Sequence, residues 1–166
     1  MNYGKINKHD IANGEGVRVS LFVSGCPHHC KGCFNPETWN YFYGEEFTQE
    51  TKLEIFRALG EDHNAGLTIL GGEPLSPYNI KTVEGLCRSI RRLRVYFPKK
   101  TIWIYTGYTW DEVKDLEIMK YIDVLVDGRF IESKKDISLK FRGSTNQRII
   151  DVPASLSSGS VVLKEV

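Results

Sequence analysis

Four short apolar runs, each closed by a glycine-bearing polar motif, set the architecture of this chain. They are Val17–Val23 before Ser24-Gly25, residues 67–70 before Gly71-Gly72, Thr101–Tyr105 before Thr106-Gly107, and residues 122–126 before Asp127-Gly128. Such runs, bounded by turn formers, read as buried strands. Helical patterns lie between them. In residues 48–59, Leu53, Ile55, Phe56 and Leu59 share one face and Gly60 supplies a stop. Ser76 and Pro77 suit the cap and first turn of a second helix, in which Ile80, Val83, Leu86, Cys87, Ile90, Leu93 and Phe97 form an apolar stripe closed by Pro98. Thr109 and Glu112 form a capping-box pair for a third helix through about Met119. Further short strands are expected near residues 148–152 and 161–164.

Strands alternating with helices imply parallel strands joined by right-handed crossovers, with ligands at the carboxyl edge of the sheet. A closed eight-unit barrel needs roughly 200–250 residues or more, and this chain has 166. The expected fold is therefore α/β, an open partial (β/α) barrel with mostly parallel strands, formed as one domain over residues 1–166.

The first strand runs into Cys26-Pro27-His28-His29-Cys30-Lys31-Gly32-Cys33, a C-x3-C-x2-C triplet. A disulfide framework would spread an even number of cysteines over a small secreted fold. Closed zinc sites and ordinary ferredoxin clusters take four protein ligands. Three thiolates around a four-iron, four-sulfide cubane leave one iron open to a substrate. The alternative is a structural zinc site completed by His28 or His29; otherwise these two, like His9 and His63, read as surface or loop histidines. Cys87 falls on the apolar stripe and reads as a small buried hydrophobe. Gly71-Gly72-Glu73-Pro74 lets a ligand approach the backbone and adds a carboxylate able to receive an ammonium group, or it is a plain strand-to-helix turn.

Charge and composition narrow the class. The net charge of +1 gives no global field for nucleic acid or an anionic membrane. No apolar stretch spans a bilayer, and none near Met1 reads as a secretory segment. With unpaired cysteines, this favours a reducing, cytoplasmic setting. Arg88, Arg91, Arg92, Arg94, Lys99 and Lys100 read as a solvated helix face, or alternatively as a dock for an acidic electron donor or partner enzyme.

Taken together, the triplet and Gly71-Gly72-Glu73-Pro74 resemble the radical S-adenosylmethionine superfamily. Asn13-Gly14-Glu15-Gly16-x-Arg18, Leu21-Phe22-Val23-Ser24-Gly25-Cys26 and Cys33-Phe34-Asn35-Pro36-Glu37-Thr38-Trp39 resemble the activating enzymes of glycyl-radical enzymes. Trp103-x-Tyr105-Thr106-Gly107-Tyr108, Val124-Leu125-Val126-Asp127-Gly128-Arg129 and Arg142-Gly143-Ser144-x-Asn146-Gln147 narrow the resemblance to the activases of anaerobic ribonucleotide reductases. Glu15, Phe141 and Glu73 stand where that branch usually carries Pro, Trp and often Asp.

The resemblance implies that Cys26, Cys30 and Cys33 hold a [4Fe–4S] cluster. It implies that Gly32, Cys33, Phe34, Gly71, Gly72, Glu73 and Asp127 face S-adenosylmethionine. It further implies reductive cleavage of that cofactor, hydrogen abstraction from a glycine of the reductase large subunit, and a low-potential electron donor such as flavodoxin. A related activase would serve another glycyl-radical enzyme, such as pyruvate formate-lyase.

Overall fold

A computed structural model describes residues 1–166. The strands are β1 (Asn2–Asp10), β2 (Val17–Val23), β3 (Glu45–Glu46), β4 (Asn64–Gly71), β5 (Thr101–Tyr105), β6 (Val124–Asp127) and β7 (Arg148–Asp151). The helices are α1 (Gln49–Leu59), α2 (Ile80–Arg92), α3 (Trp110–Val113) and α4 (Val152–Ser158). All strands belong to one seven-stranded sheet in the order β3-β1-β2-β4-β5-β6-β7.

The fold is α/β, but the sheet is mixed rather than mostly parallel. β2, β4, β5 and β6 run parallel, in register from Val19↔Leu67 through Leu67↔Ile102 to Ile104↔Leu125. The flanks are antiparallel: β1 on β2, β3 on β1, and β7 on β6. β1 returns on β2 through a short connection, whereas the parallel centre needs helical crossovers. The two edge strands, β3 and β7, do not pair with each other, so the sheet is open.

Side-chain alternation gives the sheet two faces. Val19, Leu21, Leu67, Ile69, Ile102, Ile104 and Leu125 join a core with Ile55 and Leu59 of α1 and Val83, Leu86, Cys87 and Ile90 of α2. Each such buried side chain contributes about 1.5–3 kcal/mol. On the opposite face Trp103, Val124, Val126 and Ile149 form a smaller cluster with Tyr105 and Phe141. Fully buried Arg18 lies there too, donating to Thr68 Oγ1 at 2.7 Å, Leu67 O at 2.9 Å and Thr101 O at 3.0 Å, with its guanidinium 5.3 Å from the Trp103 ring centroid. Burial lowers its pKa to about 10.

Several elements differ from expectation. β1 reads as polar because much of it is exposed; Tyr3 and Asp10 are its buried residues. Ser76 and Pro77 lie in a turn before α2, which begins at Ile80 after Asn79. The third helix breaks after Val113, and the chain extends at Leu116 before a 3-10 turn, Glu117–Tyr121, buries Ile118 and Met119. Near residues 161–164 only the single bridge Ile150↔Leu163 forms.

Candidate functional site: a cysteine loop over four parallel strand ends

The carboxyl ends of the parallel strands open on one cavity of about 580 Å³. Its wall includes Cys26, Cys30 and Cys33 after β2, Gly71, Gly72 and Glu73 after β4, Thr106 and Gly107 after β5, and Gly128 after β6. The far side is closed by Phe130, residues 135–137, Leu139 and residues 141–143. Parallel register delivers these strand ends to one place, so residues up to about 100 positions apart meet there.

The cysteine loop is held by its own backbone. Gly25 lies at φ +93° beneath the Tyr41 ring, a position no Cβ can share. Gly25 N donates to Thr38 O at 2.7 Å, Cys26 N to Trp39 O at 3.2 Å and Cys33 N to Cys30 O at 3.1 Å. Asn35 N donates to Cys33 Sγ at 3.4 Å, the kind of hydrogen bond that tunes a cluster thiolate. All three thiols are free and half-buried. Burial pushes Cys26 up to about 11 against the pull of the His28 and His29 backbone N–H groups. Cys30 is also raised, by burial first and then by neighbouring Cys33. Thiolates crowded in this way are stabilised by a bound metal charge.

The donor set fits a polynuclear cluster better than a single ion. Its donors are three thiols, one fewer than the four protein ligands that a closed mononuclear site takes. Neither nearby histidine can complete a zinc site as placed. His28 Nε2 donates to Glu73 Oε2 at 2.8 Å, and His29 stacks on Trp39 with ring centroids 4.7 Å apart. His28 is thus a loop histidine, as one of the expected readings had it, but not a surface one, since its side chain is 4 % exposed. His9 and His63 stack on each other, away from the cavity wall.

The other expected site residues divide. Cys33, Phe34, Gly71, Gly72 and Glu73 line the cavity, whereas Gly32 and Asp127 do not. Gly32 turns the loop at φ +72°, where a Cβ would meet the Glu132 carboxylate. Asp127 is buried in a structural contact: it accepts from Trp110 N at 2.8 Å and Arg148 Nε at 3.0 Å, and pairs with Arg148 Nη2. Phe34 packs against Phe130 at 5.0 Å and beneath Lys135.

Glu73 is fully buried, and both carboxylate oxygens are already engaged. Oε1 accepts from Leu75 N at 2.9 Å and Thr106 Oγ1 at 2.8 Å; Oε2 accepts from Gly107 N at 2.7 Å and His28 Nε2. No oxygen is left waiting for an ammonium group. His28, offered from sequence only as a zinc ligand or a surface or loop residue, and Tyr105, named only within a motif, also line the cavity. Tyr105 had a signal in its strand-end position, but His28 finds its partner 45 residues away.

The basic run from Arg88 to Lys100, which begins inside α2, is not one open patch. Arg88 pairs with Glu84, Arg91 with Asp123, and Lys100 Nζ reaches Glu61 O at 2.9 Å and Asn64 O at 2.5 Å. No helix is long and apolar enough to cross a membrane.

Comparison with known proteins agrees with this geometry. The family model for a 4Fe-4S single cluster domain matches residues 12–150, the cysteine loop and all four parallel strands included. Fold and site thus define an iron–sulfur protein built around one [4Fe–4S] cluster. Among curated proteins, the chain is 42% identical over 151 residues to the anaerobic ribonucleoside-triphosphate reductase-activating protein of Enterobacteria phage T4, covering 90% of this chain and 93% of that one. It is 43% identical over 153 residues to the Vibrio cholerae protein of that name, covering 90% and 97%. The Escherichia coli (strain K12) counterpart is 41% identical over 151 residues, covering 89% and 96%. The chain belongs to the family of anaerobic ribonucleoside-triphosphate reductase-activating proteins.

Proposed function

We propose that this chain activates an anaerobic ribonucleoside-triphosphate reductase by generating its glycyl radical. One observation carries the reading. Three unpaired thiols in C-x3-C-x2-C spacing open on the same cavity as the glycine-rich ends of three further parallel strands, in a chain about 42% identical to proteins of that name. Cys26, Cys30 and Cys33 would hold the cluster, leaving one iron without a protein ligand. When bound, cluster and S-adenosylmethionine together supply a one-electron cleavage whose organic radical takes hydrogen from the reductase glycine.

The chain's own part is placement and shielding. Gly71 and Gly72 bring backbone to the cavity wall, and Cys33 and Phe34 border the same space. Phe130, Ile137, Leu139 and Phe141 add apolar surface to the wall, which disfavours water that would otherwise compete for a reactive intermediate. The open sheet supports the finer architecture of a partial (β/α) barrel in a single domain over residues 1–166, with a lateral opening for the partner's glycine loop. Free cysteines suit a reducing cytoplasm, and a one-electron reduction of the cluster calls for a low-potential donor such as flavodoxin.

The test is anaerobic. The reconstituted protein, reductant and S-adenosylmethionine are mixed with the reductase large subunit and followed by electron paramagnetic resonance. A doublet glycyl-radical signal on the reductase, with 5′-deoxyadenosine accumulating, is the expected result. Activation of pyruvate formate-lyase instead would assign the chain a different partner.

A further inference from the structure

The cysteine loop carries a side chain that the cluster does not need as a ligand. His28 sits between Cys26 and Cys30, yet its ring turns inward to Glu73 rather than toward the thiols. The contact joins two nearly inaccessible groups, with side-chain exposures of 4 % and 0 %. The ring is confined on its other sides. It meets Tyr108 edge-on at 4.7 Å, and a Cβ on Gly107 would lie 2.4 Å from its Cδ2. Glu73 in turn receives backbone N–H groups from Leu75 and Gly107. One carboxylate therefore ties the cysteine loop to the ends of both β4 and β5.

We propose that His28 is a positioning residue, which through Glu73 fixes the cysteine loop against the strand ends that receive S-adenosylmethionine. The inference rests on the activase reading and deepens it by assigning the link between the cluster-holding and cofactor-holding halves of the site. Glu73 acts here as an acceptor-only bolt. A glutamine at this position would set its NH2 against a backbone N–H whichever way it turned, because each oxygen already faces one.

The test compares His28→Gln, whose amide reaches the Nε2 position, with His28→Asn, which is too short, and His28→Leu. Each is reconstituted anaerobically. Iron and sulfide are counted, S-adenosylmethionine binding is titrated, and the spectrum of the reduced cluster is recorded with and without the cofactor. All three variants are expected to hold the cluster. His28→Gln should bind S-adenosylmethionine within about twofold of the parent. His28→Asn and His28→Leu should bind roughly 10–100-fold more weakly, the range for losing an outer-shell partner, and should lose much of the cofactor-induced spectral change. Should His28→Leu prove insoluble, the Gln and Asn pair still decides the matter.

Asn and Leu variants that bind as the parent does would overturn the proposal. So would a Gln variant as weak as Asn, or loss of the cluster in all three, which would make His28 an assembly residue. Failure of the parent itself to bind S-adenosylmethionine would instead refute the activase reading.

Discussion

Gly72→Ala probes how closely the cysteine loop rests on the end of β4. Gly72 is not at positive φ, so the substitution acts through contact alone. Its new Cβ would lie 2.6 Å from Gly25 O and 3.0 Å from Thr38 O, where ordinary contact starts at 3.4 Å. The Gly25 carbonyl must therefore retreat by about 0.8 Å (3.4 − 2.6). It cannot do so freely, because it accepts from Glu73 N at 2.8 Å and Asn79 Nδ2 at 3.4 Å. Overpacking of this kind costs about 1–3 kcal/mol. For a chain of this size that lowers Tm by about 2–12 °C. The displaced residue precedes Cys26, so the shift passes directly into the site, where misplacement of about 1 Å costs on the order of 100-fold in rate. A calorimetric melt and a glycyl-radical yield assay on the same preparation measure both effects. A variant that melts within about 1 °C of the parent and activates at the parent rate would refute the close approach on which the site is built.

Three further outcomes are expected. Asp127→Ala should cost about 2–3 kcal/mol by equilibrium denaturation, less than a fully buried ion pair because Arg148 is 39 % exposed, and should leave S-adenosylmethionine binding unchanged; weakened binding at intact stability would make Asp127 a cofactor residue after all. In the metal-free protein, iodoacetamide followed by mass spectrometry should modify the cysteine triplet while sparing Cys87, which is fully buried with its thiol pushed up to about 12; modification of Cys87 without denaturant would contradict its core placement. Burial alone would raise the Asp10 carboxyl, but hydrogen bonds from Asn13 Nδ2 at 2.7 Å and Ala12 N at 2.8 Å hold it below its ordinary 3.8. Its folded-state pKa is thus depressed, so its stabilisation is complete above that value and is lost as pH falls through the lower folded value. Asp10→Asn should therefore lower Tm at pH 7 and have less effect at about pH 3, and equal shifts at both would refute this.

The parallel centre of the fold was legible because its strands are buried on both faces and read as mostly apolar runs closed by glycine-bearing turns. Val17–Val23 and Thr101–Tyr105 have the bounds expected from sequence. β1 was not legible: Lys5, Asn7, Lys8 and His9 are exposed, two residues alone are buried, and the run shows no apolar pattern. The third helix was overextended because Trp110, Val113, Ile118 and Met119 suit a helical stripe, although the chain reaches the core by extending at Leu116.

At the site, the cysteines and glycines announced themselves through spacing and punctuation. The carboxylates did not. Glu73 and Asp127 both end strands, yet one is bolted to His28 and the other to Arg148. A side chain's residue type gives its charge, whereas its partners follow from register.

The most direct test of the whole account follows the hydrogen atom. The reductase large subunit is prepared with its glycines deuterated at the α-carbon and activated anaerobically by this protein with S-adenosylmethionine and reductant. The 5′-deoxyadenosine is then weighed by mass spectrometry. The account predicts one deuterium transferred to the 5′ position, in step with growth of the glycyl-radical signal. Unlabelled 5′-deoxyadenosine beside a radical-free reductase would contradict it.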